Sequence, residues 1–408
     1  MEYYGTKFKI IGKYISWGNP DNKPFTGVFD GNDHKITHFT FHDRTKNRVG
    51  IFGYTGAAFQ ARDVHLEDVN IAGDCYVGGL VGDNYGTVEH CSVTGVITGT
   101  EDVGGLIGMN ELGSQMADCN SSVIMLNDGY LFAVGCLIGY NFEGDVINCF
   151  SAGVIDGNDD TYMAGGLVGF NRGRISKCYS TADVSGYWYI GGLIGEHDWY
   201  SLVDCYATGN VTCEEAGGGL VGRNYMTILH CYATGNVSCI YGAGGLIGED
   251  WGGGGIECYS KGAVTGTTNI GGMVGVKDSS VSFTNCFWDV NTSGQSNSAG
   301  GTGLTTEQMM QQASFTGWDF SDTDGDPADW MMLRPDEDYP RLIWQEIFDG
   351  DIAGLYGVDN TDLEELASHW LQTGCPTGCE DADIDGSGLV DLLDFAMLAA
   401  DWLEGVTP

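Results

Sequence analysis

Short apolar stretches alternate with glycine and polar residues along most of the chain, and this alternation recurs at a nearly constant interval. Each repeat holds two or three segments of three to six residues, rich in β-branched or aromatic side chains and separated by glycine or asparagine. Such segments favour short strands. No repeat contains ten consecutive residues with the periodicity of a helix. The pattern therefore predicts a mainly β repeat array.

The interval can be measured on a five-residue phrase, Gly-Gly-Leu-Val-Gly at 78–82, which returns with small changes in each repeat. The steps between its closing glycines range from 26 to 31 residues, and these glycines are Gly53, Gly82, Gly108, Gly139, Gly169, Gly195, Gly222, Gly248 and Gly275. A period near 27 residues fits one coil of a β-solenoid and is too short for a propeller blade of about 40 residues. We therefore predict a right-handed parallel β-solenoid (β-helix) of about nine to ten coils, with ~4.8 Å between coils.

If one repeat makes one coil, equivalent residues of successive coils must form columns. Eight cysteines share one position: Cys91, Cys119, Cys149, Cys178, Cys205, Cys231, Cys258 and Cys286. They form either a disulfide or metal framework or a stack of small apolar side chains. Parallel side chains give poor disulfide geometry, so the stack is favoured. Cys213 and Cys239, which share another position, are the pair expected to oxidise.

Two more columns follow from the same register. Asparagine stands two residues after the closing glycine at Asn84, Asn110, Asn141, Asn171 and Asn224. Stacked amides can hydrogen-bond from coil to coil. An aromatic residue follows the repeated cysteine at Phe150, Tyr179, Tyr206, Tyr232, Tyr259 and Phe287. We interpret both columns as structural rather than as ligand-binding stripes.

The periodicity divides the chain into four segments. Residues 1–47 are predicted to form an N-terminal first coil or cap, with strands over 25–41 around a turn at Asp30-Gly31-Asn32. Residues 48–286 are the solenoid repeats. Residues 287–345 are a C-terminal cap, in which Thr305 and Gln308 predict the capping box of a short helix. The cap protects the open edge of the last coil. Residues 346–408 are a separate module.

The net charge of the chain limits the classes of molecule that it can bind. The chain has 17 basic and 56 acidic residues, a net charge of −39, and residues 346–408 contain no lysine or arginine. This balance disfavours nucleic acid and favours cation binding. No apolar run is long enough for a transmembrane helix, and the first residues lack a secretion signal. We expect an extracellular or cell-surface protein, and we interpret the missing signal as the mark of a fragment or of a late start codon.

The phrase Gly-Gly-Leu-[Val/Ile]-Gly and its downstream Cys-Tyr-[Ala/Ser]-Thr-Gly resemble the GLUG-motif repeats of bacterial surface and secreted proteins. The resemblance covers about residues 49–287 and implies an adhesin-like protein or, as a further alternative, the non-catalytic region of a secreted protease. No catalytic residue comes with this motif.

The C-terminal segment resembles a type I dockerin, a small all-α module built from two calcium loops. The resemblance implies a docking partner of the cohesin type. The matching loop residues are Asp383, Asp385, Ser387, Leu389 (through its carbonyl), Asp391 and Asp394, and oxygen ligands at this spacing suit calcium. An upstream loop keeps only Asp351, Asp359 and Asp362, so a weak second site is predicted. The alternative is an acidic turn that holds no ion.

A cluster of charged and aromatic residues interrupts the repeat in three consecutive coils. Its members are Glu196, His197, Trp199, Tyr200, Arg223, Tyr225, Glu249, Asp250 and Trp251. With coils in register, Glu196 and Glu249 lie ~9.6 Å apart, at or just beyond the ~6.5–9.5 Å of an inverting glycosidase pair. Three interpretations remain: an ion-pair ladder through Arg223, which is favoured, a sugar-binding strip, and a catalytic pair.

The sequence therefore favours a non-enzymatic extracellular adhesive or scaffolding protein, bound to a partner through its calcium-binding tail. Its ligand would be a glycan or another cell-surface molecule. The alternative is a carbohydrate-active β-helix enzyme, a polysaccharide lyase or hydrolase, targeted by the same tail. The enzyme alternative depends on analogy of fold, since no catalytic signature is present in a matching context.

Overall fold

One repeat forms one coil of a parallel β-solenoid of about nine turns in the computed structural model. The structure describes residues 8–126, 129–320, 329–332 and 338–345. The chain divides into two compact units, Met1–Asp319 and Phe320–Pro408, and the solenoid lies in the first. Residues 346–408, with the proposed calcium loops at Asp383–Asp394 and Asp351–Asp362, lie outside the described residues.

Each closing glycine lies in a short strand, and these strands pair in parallel as one nine-stranded sheet. Its strands are Phe52–Tyr54, Val81–Asn84, Ile107–Asn110, Ile138–Asn141, Val168–Asn171, Ile194–His197, Val221–Asn224, Ile247–Asp250 and Val274–Lys277. The regular spacing of the closing glycines is thereby confirmed as one coil per repeat.

The rest of each coil belongs to a 29-stranded sheet that winds around the solenoid. Strands preceding the repeated cysteine are Thr87–Glu89, Gln115–Ala117, Asp145–Ile147, Arg174–Ser176, Leu202–Val203, Ile228–Leu229, Gly255–Ile256 and Phe283–Thr284. Strands following it are Ser92–Thr98, Asn120–Leu126, Phe150–Asp156, Tyr179–Ser180, Asp183–Gly191, Tyr206–Ala207, Val211–Gly218, Tyr232–Ala233, Val237–Gly244, Tyr259–Ser260, Val264–Thr265, Thr268–Gly271 and Phe287–Asp289. Strands that lead into the phrase are Cys75–Val77, Glu101–Gly104, Leu131–Gly135 and Thr161–Gly165.

The N-terminal strands of this sheet are Val28–Thr37, Thr40–His42 and Gln60–Ala72. The first of them pairs in parallel with the third. The predicted turn at Asp30–Asn32 is wrong, because the strand is continuous there and the register shifts between Asp30 and His34. Asn32 and Asp33 take left-handed conformations (φ 48° and 58°), so the extra residues bulge out of one strand instead of ending it.

The interior is filled by columns of small apolar side chains. All eight cysteines of the repeated position are buried and unoxidised, which confirms the predicted stack. Each thiol donates to a carbonyl two residues earlier, as Cys205 Sγ does to the Val203 oxygen at 3.1 Å. Cys213 and Cys239 form the predicted disulfide, with their Cα atoms 4.6 Å apart.

The other two predicted columns are also confirmed. Amide Nδ2 atoms donate to the Oδ1 atom of the next coil at 2.9 Å from Asn84 to Asn110, 3.0 Å from Asn110 to Asn141 and 2.8 Å from Asn141 to Asn171. The rings from Phe150 to Tyr259 are stacked with centroids 4.8–5.0 Å apart and interplanar angles of 1–7°.

The C-terminal end of the solenoid carries the predicted helix. Strand Thr302–Leu304 pairs with Phe287–Asp289, and the short helices are Val290–Ser293, Thr306–Met309 and the 3₁₀ turn Gln312–Ser314. Thr305 and Gln308 form the capping box. The ring of Trp318 lies 6.2 Å from that of Tyr259, and its Nε1 donates to the Asn285 carbonyl at 2.7 Å. These residues cover the end of the aromatic column.

The second unit contributes one described antiparallel pair, Trp330–Met331 with Arg341–Leu342. No helix within the described ranges has the length or apolar character to cross a membrane.

Candidate functional site

The outward side chains of the nine-stranded sheet form the surface on which the sequence placed its candidate patch. The residue after each closing glycine faces outward, because the next residue is the inward asparagine and side chains alternate along a strand. We call this surface the outer face. Its central column, in register from coil to coil, is Tyr54, Asp83, Met109, Tyr140, Phe170, Glu196, Arg223, Glu249 and Val276.

Glu196 and Arg223 form the predicted ion pair. Arg223 Nε donates to Glu196 Oε2 at 3.0 Å, and its Nη2 donates to the same oxygen. The guanidinium lies 3.7 Å from the ring centroid of Tyr189 and 5.4 Å from that of Tyr225, so aromatic faces cover it. Burial raises the pKa of Glu196, while the nearby Arg223 acts to lower it. The pair is thus an internally satisfied element of the face.

Glu249 does not complete the ladder that was predicted through Arg223. Its Oε2 atom accepts a hydrogen bond from Trp251 Nε1 at 3.0 Å. The two carboxylates are therefore held by different partners, one by a guanidinium and the other by an indole. The ladder forms on one side of Arg223 only.

His197 and Asp250 belong to the interior, so their assignment to a surface patch is wrong. Both continue the asparagine column and are fully buried, since they follow an outward residue by one position. Asn171 Nδ2 lies 3.0 Å from His197 Nδ1, and burial lowers the pKa of His197 to about 4. Asp250 accepts from Asn224 Nδ2 at 3.0 Å and from the backbone of Gly254 at 3.0 Å. Neither side chain is available to a surface ligand.

The predicted aromatic residues do lie on the outer face, in the loops that follow the inward position. Trp199 is 42% exposed and Trp251 is 44% exposed. The Trp199 ring centroid lies 5.7 Å from that of Phe142 and 4.9 Å from the Arg172 guanidinium. Tyr200 lies under Arg174 at 4.4 Å. The face therefore presents two exposed indoles on a network of internally paired charges.

Three acids at the N-terminal end of this face were missed by the sequence analysis. Arg48 Nε donates to Asp83 Oδ2 at 2.7 Å, whereas Asp83 Oδ1 is buried and has no partner among the described residues. Burial, with some contribution from Glu101, raises the pKa of Asp102 to about 8. Burial also raises the pKa of Glu111 to about 7. The available signal was positional, because Asp83 follows a closing glycine as Glu196 does.

The geometry so far defines a repeat β-solenoid protein with an aromatic and charged outer face. The family model of the GLUG motif matches four segments of the chain, residues 73–98, 160–185, 186–212 and 214–238. Four of the repeats that build these coils are therefore GLUG-motif repeats.

Two relatives are similar to the chain. Halomucin of Haloquadratum walsbyi is 33% identical over 109 residues, which is 27% of this chain and 1% of halomucin. A putative Gly-rich membrane protein of Evansella cellulosilytica is 32% identical over 448 aligned positions, which cover 92% of this chain and 47% of that protein. The chain thus spans less than half the length of either relative. No solved structure matches the chain significantly.

Proposed function

We propose that this protein is a non-enzymatic, extracellular or cell-surface adhesive and scaffolding solenoid that binds glycan on its outer face. One observation supports the proposal: two carboxylates of that face already have partners, whereas two of its indole rings are still accessible to a ligand. Glu196 is bound by Arg223 and Glu249 by Trp251 Nε1, while the rings of Trp199 and Trp251 remain exposed. Exposed indoles on a rigid surface provide amphipathic contact area for a ligand at little entropic cost. The names of the two relatives, halomucin and a Gly-rich membrane protein, support a surface location.

The burial and pairing of the carboxyl groups on the outer face support a binding role over catalysis. A glycosidase pair needs one carboxyl group free to donate a proton and another free to activate water or attack the sugar. Glu196 is 6% exposed and ion-paired, and Asp83 and Asp102 are 1% and 5% exposed. A sugar ring cannot reach these carboxyl groups without displacing their neighbours.

A Trp199→Ala/Trp251→Ala double variant tests the glycan-binding strip. We expect a binding constant for glycan-array hits at least about tenfold weaker, because each indole contributes stacking area that alanine lacks. Trp17→Ala is the matched control, since Trp17 is 85% exposed and follows Ile11, which pairs with the first strand of the sheet, several coils before Trp199 and Trp251. A parent protein with no hits on the array, or a double variant that binds as well as the parent, would remove the strip.

The carbohydrate-active alternative is favoured by one residue, Glu111. Its half-buried carboxyl group has a pKa raised by burial to about 7, which suits a general acid near neutral pH. The same parent protein should therefore be screened for release of reducing ends or unsaturated products from polysaccharides. Activity that is lost in Glu111→Gln would replace the adhesive proposal with an enzymatic one.

We further propose that residues 346–408 bind calcium and dock to a cohesin-like partner. The support is the spacing of oxygen ligands at Asp383, Asp385, Ser387, Leu389, Asp391 and Asp394, together with the acidic composition of the segment. The upstream loop keeps Asp351, Asp359 and Asp362 but has Ala353 and Leu355 at two ligand positions, so its affinity should be low.

Calorimetric calcium titration of the full chain tests this module. The parent is expected to bind one ion tightly, and Asp383→Ala/Asp385→Ala should abolish that binding, because both substitutions remove carboxylate ligands. Asp351→Ala/Asp359→Ala serves as the matched control and should leave the tight site in place. Two equally tight sites in the parent, or tight binding that survives the first double variant, would contradict the assignment.

A further inference from the structure

A second group of aromatic residues lies outside the outer face, on strands that lead into the repeated phrase. Phe132, Tyr162 and Trp188 occupy the same register position in three consecutive coils. Tyr130 and Tyr187 flank them, with ring centroids 5.8 and 6.1 Å from that of Tyr162. We call these five residues the aromatic platform. The position belongs to acids in the coils before and after, Glu101 and Glu215.

The platform does not serve the core. Its five side chains are exposed or half-buried, and Tyr130 is 51% exposed. The rings of successive coils are tilted by 40° between Tyr130 and Tyr162 and by 80° between Tyr162 and Trp188. The stacked column from Phe150 to Tyr259, in which Phe150, Tyr179 and Tyr206 are also half-buried, is nearly coplanar by comparison, with angles of 1–7°. The rings of Tyr130 and Phe132 are stacked at 12°, and the other ring pairs of the platform meet at 40–80°. Large rings at a solvent position that do not fill the interior indicate a surface for a ligand.

One polar group of the platform is also left without a partner. The indole N–H of Trp188 is buried and makes no hydrogen bond to any described residue. An unpaired buried donor costs about 1–3 kcal/mol, so a native site that keeps one calls for a functional explanation. A ligand oxygen can reach this donor only where a neighbouring platform side chain moves aside, and it would then supply the missing acceptor.

The charge of the platform limits the chemistry of the ligand. Glu101 and Glu215 bracket the aromatic column along the solenoid axis, and Glu214 lies beside Tyr187, whose pKa rises through burial and the neighbouring Glu214. The whole chain carries a net charge of −39. Nucleic acid, anionic lipid and acidic polysaccharide are repelled by such a surface. A ligand with both apolar faces and hydroxyl groups is complementary to aromatic rings that have an acidic border. Sugar rings have apolar faces and hydroxyl groups.

The direction of the platform indicates the shape of the ligand. Its aromatic column runs along the solenoid axis, with one coil every ~4.8 Å, which is about the length of one sugar ring in an extended chain. We propose that the aromatic platform binds a linear polysaccharide that is neutral or basic, of the cellulose or chitin type, lying along the solenoid axis. This inference shares the class of ligand with the proposed function but assigns a separate surface.

Retention of the purified full chain on microcrystalline cellulose and on chitin tests the proposal, with polygalacturonate as the anionic probe. Trp188→Ala and Tyr130→Ala/Tyr187→Ala should each weaken retention on cellulose or chitin at least about fivefold, and no variant should bind polygalacturonate. Trp17→Ala is again the control, and Trp199→Ala/Trp251→Ala reports on the outer face separately. Near-ultraviolet circular dichroism confirms that each variant is folded, and the double tyrosine variant guards against loss of packing at Trp188.

Each outcome decides the question. Loss of retention in the platform variants alone supports this site even if the outer face binds nothing. Loss in the Trp199/Trp251 variant alone supports the proposed function and overturns the platform. A parent that binds neither polysaccharide, or that prefers polygalacturonate, also overturns it. Sedimentation showing a dimer that Tyr130→Ala/Tyr187→Ala dissociates would identify a second copy as the occupant and would likewise reject the proposal.

Discussion

Replacing Gly222 with alanine should destabilise the solenoid by about 3 kcal/mol, the upper part of the usual range for overpacking. A Cβ atom at this position would lie 2.5 Å from the Ile190 nitrogen, 2.5 Å from the Tyr189 carbonyl carbon and 2.7 Å from the Gly195 oxygen. All three atoms are backbone atoms of the preceding coil. Because no flexible side chain can move aside, the two coils themselves would have to separate.

The close approach has a repeated cause in the backbone of the preceding coil. Tyr189, which lies opposite Gly222, adopts a left-handed conformation (φ 59°) that turns its peptide towards the closing glycine. Residues six positions before other closing glycines adopt the same conformation, and they are Tyr76, Asp102, Ala133, Met163, Ala216 and Asn269. A left-handed turn in one coil therefore requires glycine in the next, which explains why the closing position is glycine from Gly82 to Gly275.

Urea unfolding and hydrogen exchange measure the effect. Gly222→Ala should lower the free energy of unfolding and should raise exchange first at the amides between the coils of Ile194–His197 and Val221–Asn224. Gly129→Ala is the matched control, because an added Cβ there meets no atom of the described residues within 4 Å. Its effect should stay within about 0.5 kcal/mol. Equal stability of the two variants would show that the coils can relax around a methyl group, and that glycine is kept for another reason.

The coil period and the cysteine, asparagine and aromatic columns were predictable because each is a one-dimensional property of the sequence. The recurring closing glycine sets the register, and the register alone places Cys178 beside Cys205 and Asn110 beside Asn141. The disulfide between Cys213 and Cys239 was predicted in the same way, because both cysteines have the same position in the repeat. Parallel in-register stacking thus converts sequence spacing directly into contacts.

The site was less predictable because its contacts depend on which way each side chain turns. His197 and Asp250 were assigned to the surface by their charge, although their position in the asparagine column already placed them inside. The cover that Tyr189 provides for Arg223 depends on a left-handed residue that is not glycine, and no local sequence signal marks it. Trp188 was overlooked because its neighbours in the column are not aromatic in every coil.

Replacing Asn141 with leucine should cost about 3 kcal/mol of stability although the leucine side chain has the same number and branching of heavy atoms. The amide of Asn141 accepts from Asn110 Nδ2 at 3.0 Å, donates to Asn171 Oδ1 at 2.8 Å and donates to the Gly144 carbonyl at 3.1 Å. All three asparagines are fully buried, so water cannot replace the lost partner. Each buried group left unpaired costs about 1–3 kcal/mol, and Asn171 Oδ1 keeps one other donor, Gly173 N.

A leucine at Asn120 is the control that separates a polar defect from a general effect of leucine in a strand. Asn120 is half-buried and lies in the neighbouring part of the same coils, so its replacement should change the free energy of unfolding by less than about 1 kcal/mol. Hydrogen exchange should locate the Asn141→Leu defect in the strands Ile107–Asn110, Ile138–Asn141 and Val168–Asn171. If Asn141→Leu proved as stable as the parent, the hydrogen bonds of the asparagine column would contribute nothing to stability. Apolar packing and backbone pairing alone would then hold neighbouring coils together, because side-chain hydrogen bonds that can be removed without cost cannot fix the register.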